Sequence, residues 1–233
     1  MKKLKSKLTF TNIIVILAIV IYLLNLFAFS PETGPIAIAV KEQYKSRGEE
    51  LTSFSIMIAR IIGIWGGNVN AFLGFQIDKF LHGEIWRLYT VVLTHGHIAH
   101  IIMNLIALLI AGNHIEKEYG TKKTIIFFLI LTALNNIITS IIYNYILGNE
   151  HVITYGASGW ITALLGMILM KSILHKGYYK KEFKGKERFY LILYFLSTTF
   201  FLDPNVFTMT AHLTGLVEGI VFIGILEKII HKK

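Results

Sequence analysis

Apolar residues in this chain gather into long runs separated by short polar or basic connections, the pattern of membrane-crossing helices rather than of half-buried strands. Residues 13–29 form a nearly continuous apolar run broken by Tyr22 and Asn25. At ~1.5 Å per residue, that run and its flanks cross a bilayer of ~30 Å. Further runs predict spans at 91–115, 124–147, 158–174, 189–202 and 207–230, which makes six with the first. Between Ser30 and Trp86 the pattern breaks into prolines, charges and the turn signal Gly66-Gly67-Asn68. Within that stretch, residues 54–65 are apolar but short and carry Arg60 and Gly63, so they read as a helix lying at the interface rather than a further span. The lysines ahead of the first run would also suit a signal peptide. The run's length and Pro31, without a small-x-small cleavage site, favour an uncleaved span.

The expected fold is therefore an all-α polytopic membrane protein. Residues 1–233 form a single six-span membrane domain, with a long membrane-associated first external loop at 30–90 and a basic loop at 175–188. No internal repeat or low-complexity segment divides it, and Trp86 and Arg87 serve as an interfacial anchor at the end of the first loop.

Composition agrees with this class. The chain is 54% hydrophobic with a mean hydropathy of +0.60, more than a soluble globular domain carries. Cysteine is absent, which excludes disulfides, thiolate metal sites and cysteine nucleophiles. A net charge of +9 would suit a nucleic-acid partner, but its distribution points to a lipid bilayer instead. The 2–7 segment, the 117–123 loop, the 175–188 loop and the 231–233 tail carry the lysines and arginines, whereas the 148–155 and 203–206 loops carry none. By the positive-inside rule both termini are cytoplasmic, and the expected location is a bacterial cell membrane.

Candidate chemistry centres on Tyr155-Gly156-Ala157-Ser158-Gly159-Trp160, where a polar connection enters an apolar run. Ser158 between glycines is placed like a nucleophile, and its alternative is a plain helix N-cap. His212 lies in another apolar run, and a third opens with His95, His97, His100 and Asn104, of which 100 and 104 share a helical face. Polar groups inside a membrane are costly and usually functional. The predicted topology brings the starts of the second, fourth and sixth spans to one external face.

Rows of small residues, Gly159-Ala163-Gly166 and Ala211-Gly215-Gly219, would let the fourth and sixth spans approach closely enough for a Ser158–His212 hydrogen bond. The same rows also suit an ordinary packing seam. If the pair forms, His212 takes the serine proton, and the Ser158 N–H, Asn104 and His100 donate to the oxyanion. Asn104 equally suits an interhelical hydrogen bond, as do Asn135 and Asn136 in the third span. His97 reads as an interface residue, His114 lies too deep to join, and Asp203 reads as a turn residue rather than the acid of a triad.

Taken together, these motifs resemble the rhomboid intramembrane serine proteases. The resemblance runs through Gly66-Gly67-Asn68, Gly83-Glu84-Ile85-Trp86-Arg87-Leu88, Thr94-His95-Gly96-His97-Ile98-Ala99-His100 with Asn104, Glu116 and Gly120, Gly156-Ala157-Ser158-Gly159 with Gly166, and Ala211-His212-Leu213-Thr214-Gly215 with Gly219. It implies a Ser158–His212 dyad without an acidic member, with His100 and Asn104 assisting the oxyanion. His95, Gly156, Gly159, Gly215, Trp86 and Arg87 would be structural residues, and Glu116 would tie the second span to its neighbours. It further implies transmembrane protein substrates and no cofactor or metal. Thr162 departs from the family, where an aromatic residue four after the serine often stacks on the histidine, and Thr214 replaces a glycine or alanine.

Two other functions are compatible with the same residues. One is a binding or quality-control protein that holds membrane segments without cutting them. The other is a membrane metalloenzyme using His95, His97 and His100, for which neighbouring carboxylates are sparse.

Overall fold

A computed structural model describes residues 8–27, 45, 68–148, 153–201 and 205–230. Among these residues the regular structure is helical, with one isolated antiparallel bridge between Phe75 and Thr154. The helices are α1 (Phe10–Phe27), α2 (Asn68–Leu73), α3 (Ile77–Leu81), α4 (Arg87–Thr90), α5 (Ile98–Tyr119), α6 (Thr121–Ser140), α7 (Ser158–Leu174), α8 (Tyr178–Glu182), α9 (Gly185–Leu196) and α10 (Val206–Ile230). Three stretches are long and apolar enough to cross a membrane, Ile98–Tyr119, Thr121–Ile146 and Val206–Ile229, and Phe10–Asn25 and Ser158–Leu174 are shorter apolar helices. This is an integral membrane protein of helical type.

Helices suit these runs because a lipid-embedded backbone must satisfy its own polar groups. The side chains sort accordingly. Along α10, Leu213, Val217, Val221, Ile225 and Ile229 are exposed and recur every four residues, a continuous apolar face toward lipid. Along α5, the buried face holds Asn104, Ala107, Ala111, Gly112 and Glu116 beside Ile101, Leu108 and Ile115. Polar and small residues thus share the inward face with large apolar ones, as expected where apolar burial no longer separates inside from outside.

The most extensive helix contact is between α7 and α10. It depends on glycine: a Cβ on Gly219 would lie 1.9 Å from the Ala163 carbonyl oxygen, and one on Gly166 would lie 2.1 Å from that of Leu216. The small-residue rows therefore form a true close-approach seam.

Elsewhere, polar groups pin the elements. The Glu116 carboxylate accepts the backbone N–H groups of Phe10 at 2.8 Å and Thr11 at 2.9 Å, so α5 satisfies the orphan donors at the start of α1. Arg87 is buried, donating to the carbonyls of Ala71 and Gly74, each at 2.7 Å, and to Glu84 at 2.6 Å. It locks the connection between α2 and α4 rather than anchoring at an interface, whereas Trp86 is partly exposed and packs on Phe72. Asn136 donates to the Leu88 carbonyl at 3.1 Å, tying α6 to α4.

Three spans differ at their boundaries from the sequence expectation. The second span does not begin at residue 91: Val91–Leu93 is a 3₁₀ turn, Thr94 is extended, and α5 starts only after His97, whose Nδ1 accepts the His100 N–H at 3.1 Å. The third and fifth spans end in π-helical segments, Ile141–Ile146 and Ser197–Phe201. Helix α9 also starts at Gly185, ahead of the apolar run. The expected interfacial helix at 54–65, the Gly66-Gly67 turn and Asp203 lie outside the described residues.

Candidate active site

The chain reaches Ser158 through a tightly held approach. Phe75 and Thr154 exchange backbone hydrogen bonds at 3.0 and 2.8 Å, and the Gly156 N–H donates to the Val91 carbonyl at 3.0 Å. Gly156 has φ of +107°, a conformation that glycine alone adopts readily, and a Cβ there would lie 2.7 Å from the His100 ring. The glycine therefore lets His100 lie directly against the backbone two residues before the serine. Ala157 occupies the N-cap of α7 and no side chain caps the helix, so the Ser158 hydroxyl is not spent on capping. Its backbone N–H, in the first turn, has no partner within the helix.

Ser158, His212, His100 and Asn104 line one cavity of about 410 Å³, together with residues that include Tyr155 and Thr198. Asn104 is fully buried. Its Oδ1 accepts the Tyr194 hydroxyl at 2.5 Å, while its Nδ2 is buried without a hydrogen-bond partner. That amide lies 3.4 Å from where a Cβ on Gly156 would sit, so an oriented N–H donor stands beside the approach to Ser158. Tyr194 fixes which end of the amide faces this way.

His212 is buried on α10, with Nδ1 3.1 Å from the Thr199 hydroxyl. Among the described residues no hydrogen bond joins Ser158 to His212. Catalytic hydrogen bonds are often long without substrate, and both side chains line the same cavity. Thr162 donates to the Gly159 carbonyl at 2.9 Å, so the side chain standing where an aromatic ring was expected is engaged with its own helix.

The other sequence candidates sort around this centre. Gly159 and Gly215 lie at the α7–α10 seam next to Asn135, whose amide donates to the Ala211 carbonyl at 2.9 Å, one residue before His212. His95 is buried behind the cavity, its ring 5.0 Å from that of His100 between centroids, and its carbonyl accepts from Asn70 at 3.0 Å. His97 lines the cavity rim and caps α5. His114 sits at the opposite end of α5, bonded to the Tyr178 hydroxyl at 2.6 Å. Trp86 and Arg87 do not line the cavity. Among the described residues no group of three or more histidine, aspartate or glutamate side chains is arranged to hold a metal ion.

Sequence reasoning missed Tyr194 and Thr199. Ser197-Thr198-Thr199 puts three consecutive hydroxyls inside an apolar run, which marks the segment as unusual without naming a partner, and Tyr194 carries no such signal.

Residues 82–228 match the Rhomboid domain family. The chain is 28% identical over 146 residues to the rhomboid protease GlpG of Haemophilus influenzae, a match covering 60% of this chain and 68% of that protein. It is 29% identical over 169 residues to YdcA of Bacillus subtilis, covering 71% of this chain and 77% of that one. A match to the rhomboid-type serine protease 2 of Podospora anserina is 28% identical over 124 residues, 50% of this chain and 43% of that protein.

Proposed function

The chain belongs to the rhomboid family, and from that premise we propose that it is an intramembrane serine endopeptidase with Ser158 as nucleophile and His212 as base. The observation that carries this reading is the cavity itself. A serine at a helix start, a buried histidine on the facing helix and an oriented, unpartnered amide N–H all face one space.

The chemistry follows from these groups. His212 Nε2 takes the Ser158 hydroxyl proton as Oγ forms a bond to the scissile carbonyl carbon, and the carbonyl π pair moves onto its oxygen. Asn104 Nδ2, the Ser158 N–H and His100 donate to that oxyanion. Collapse re-forms the carbonyl and breaks the C–N bond, and the leaving amine receives the proton from His212. A water then attacks the acyl-serine by the same route in reverse roles and releases the acid.

The bilayer frames the rest. In this reading helices α1, α5, α6, α7, α9 and α10 cross the membrane as six spans of one domain with cytoplasmic termini, an arrangement that the lysine distribution favours. The cavity then opens at the external face, which gives water a route to Ser158. Substrates are transmembrane segments of other proteins, and they unwind locally, because a helical peptide bond hides its carbonyl in the i→i−4 ladder.

The test is cleavage of a generic transmembrane substrate by the purified full chain in mild detergent. Wild type cuts, while Ser158→Ala and His212→Ala do not. Retained cutting by a folded Ser158→Ala variant would overturn the reading, as would tight binding of segments by wild type with no cleavage.

A further inference from the structure

Three hydroxyls follow one another at the end of the fifth apolar run, and they behave differently. Ser197 and Thr198 both donate back to the Tyr194 carbonyl, at 3.2 and 2.7 Å, satisfying the helix that carries them. Thr199 instead meets His212 Nδ1 on α10 at 3.1 Å, with both residues buried at 0% and 3% exposure. It does so from the π-helical segment Ser197–Phe201, a wider turn of the kind that recurs at functional sites.

We infer that Thr199 is the positioning residue of the base: its hydroxyl oxygen accepts the His212 Nδ1–H and fills, with a neutral group, the place that an acid holds in a serine triad. The inference rests on the serine–histidine reading above.

The physical argument is one of tautomers. A neutral imidazole carries its proton on one nitrogen, and His212 can act as a base through Nε2 only when that proton is on Nδ1. A group that accepts from Nδ1 selects this form and holds the ring plane. As the imidazolium forms, the Nδ1–H···Oγ1 bond becomes charge-assisted and strengthens, so part of its stabilisation arises in the transition state. A carboxylate would do this more strongly but would place a full charge in the apolar bundle, which a hydroxyl avoids. Thr162 is engaged with the Gly159 carbonyl, whereas the Thr199 hydroxyl meets the ring nitrogen itself.

The experiment compares Thr199→Val, which removes the hydroxyl and keeps the branched shape, with Thr199→Ser, which keeps the hydroxyl. Both are measured for kcat and KM on a transmembrane substrate. In parallel, the full chain carrying ¹⁵N-histidine is examined by NMR, with His212→Ala identifying the ring signals. Thr199→Val is expected to lower kcat about 10- to 100-fold at unchanged KM, part of the 10²–10⁴ that general-base catalysis contributes. Thr199→Ser should stay within about threefold of wild type by the same principle, and the wild-type His212 spectrum should show the Nδ1–H tautomer. Wild-type kcat in Thr199→Val, equal defects in both variants, or an Nε2–H tautomer in the wild type would each overturn the inference. If Thr199→Val does not fold, the serine variant and the wild-type spectrum still decide. Ser158→Ala, assayed alongside, separates the two levels: activity surviving there defeats the serine-protease reading, whereas the tautomer is read without any turnover.

Discussion

At the end of the bundle where α5 finishes, Lys171 is buried yet fully engaged. Its ammonium is paired with Glu118, donates to the Tyr119 hydroxyl at 3.0 Å, lies 3.6 Å from Glu227 and sits over the rings of Tyr119 and Tyr178. Around it, Tyr178 donates to Glu118, and His175 faces Glu227 at 3.4 Å. Burial, with the Glu118 carboxylate beside it, pushes the Tyr178 hydroxyl well above its ordinary pKa and keeps it a neutral donor. At the other end, Asn104 is equally buried, but its Nδ2 has no partner and faces the cavity. A buried donor left unsatisfied costs about 1–3 kcal/mol, which a hydrogen bond to a group entering the cavity would recover. At one end these charged groups are paired across helices, and at the other an amide donor is left open toward the cavity.

Substitutions at the two ends should therefore report on different quantities. The largest effect is expected from Ser158→Ala, which should lower kcat by about 10⁶ while leaving thermal stability in detergent unchanged, checked by single-turnover assays against melting curves. Lys171→Met should do the reverse. It leaves two carboxylates without their cation and should cost about 3–5 kcal/mol of stability, seen in denaturant unfolding, while the surviving folded fraction cuts at the wild-type rate. Asn104→Ala should lower kcat about 10²–10³-fold at little change in KM, the loss of one oxyanion donor. Tyr194→Phe keeps the ring and removes the hydroxyl that aims the amide, so its kcat should fall by about tenfold, between wild type and Asn104→Ala. Should Lys171→Met damage turnover as much as Asn104→Ala, the division between the two ends would dissolve.

Much of the cavity end is visible in the sequence, and what is not depends on a local cap or on tertiary register. Helix α7 occupies 158–174 as expected, because glycine punctuation opens it and a basic loop follows it. The start of α5 lies later than the apolar run suggests, because Val91, Val92 and Leu93 form a separate 3₁₀ turn and the polar residues 94–97 break the helix before it begins. What sets the boundary is a cap from the His97 side chain. Ser158, His212, His100 and Asn104 were legible because each is a polar group inside an apolar run at a predicted span start. Thr199 and Tyr194 were not, since their roles depend on which face of α9 and its π-helical extension meets α10 and α5. The π segment shifts that register without any residue type announcing it. Glu116 was assigned to its neighbours by resemblance alone, and the structure supplies the reason: a carboxylate at the start of α1.

The most direct measurement is peptide mapping by mass spectrometry of the full chain after reaction with a fluorophosphonate. The reagent phosphonylates a serine whose proton a neighbouring base removes. The account predicts a single adduct on Ser158, formed in wild type and lost in His212→Ala. An adduct on another residue, or equal labelling of Ser158 without the histidine, would contradict it.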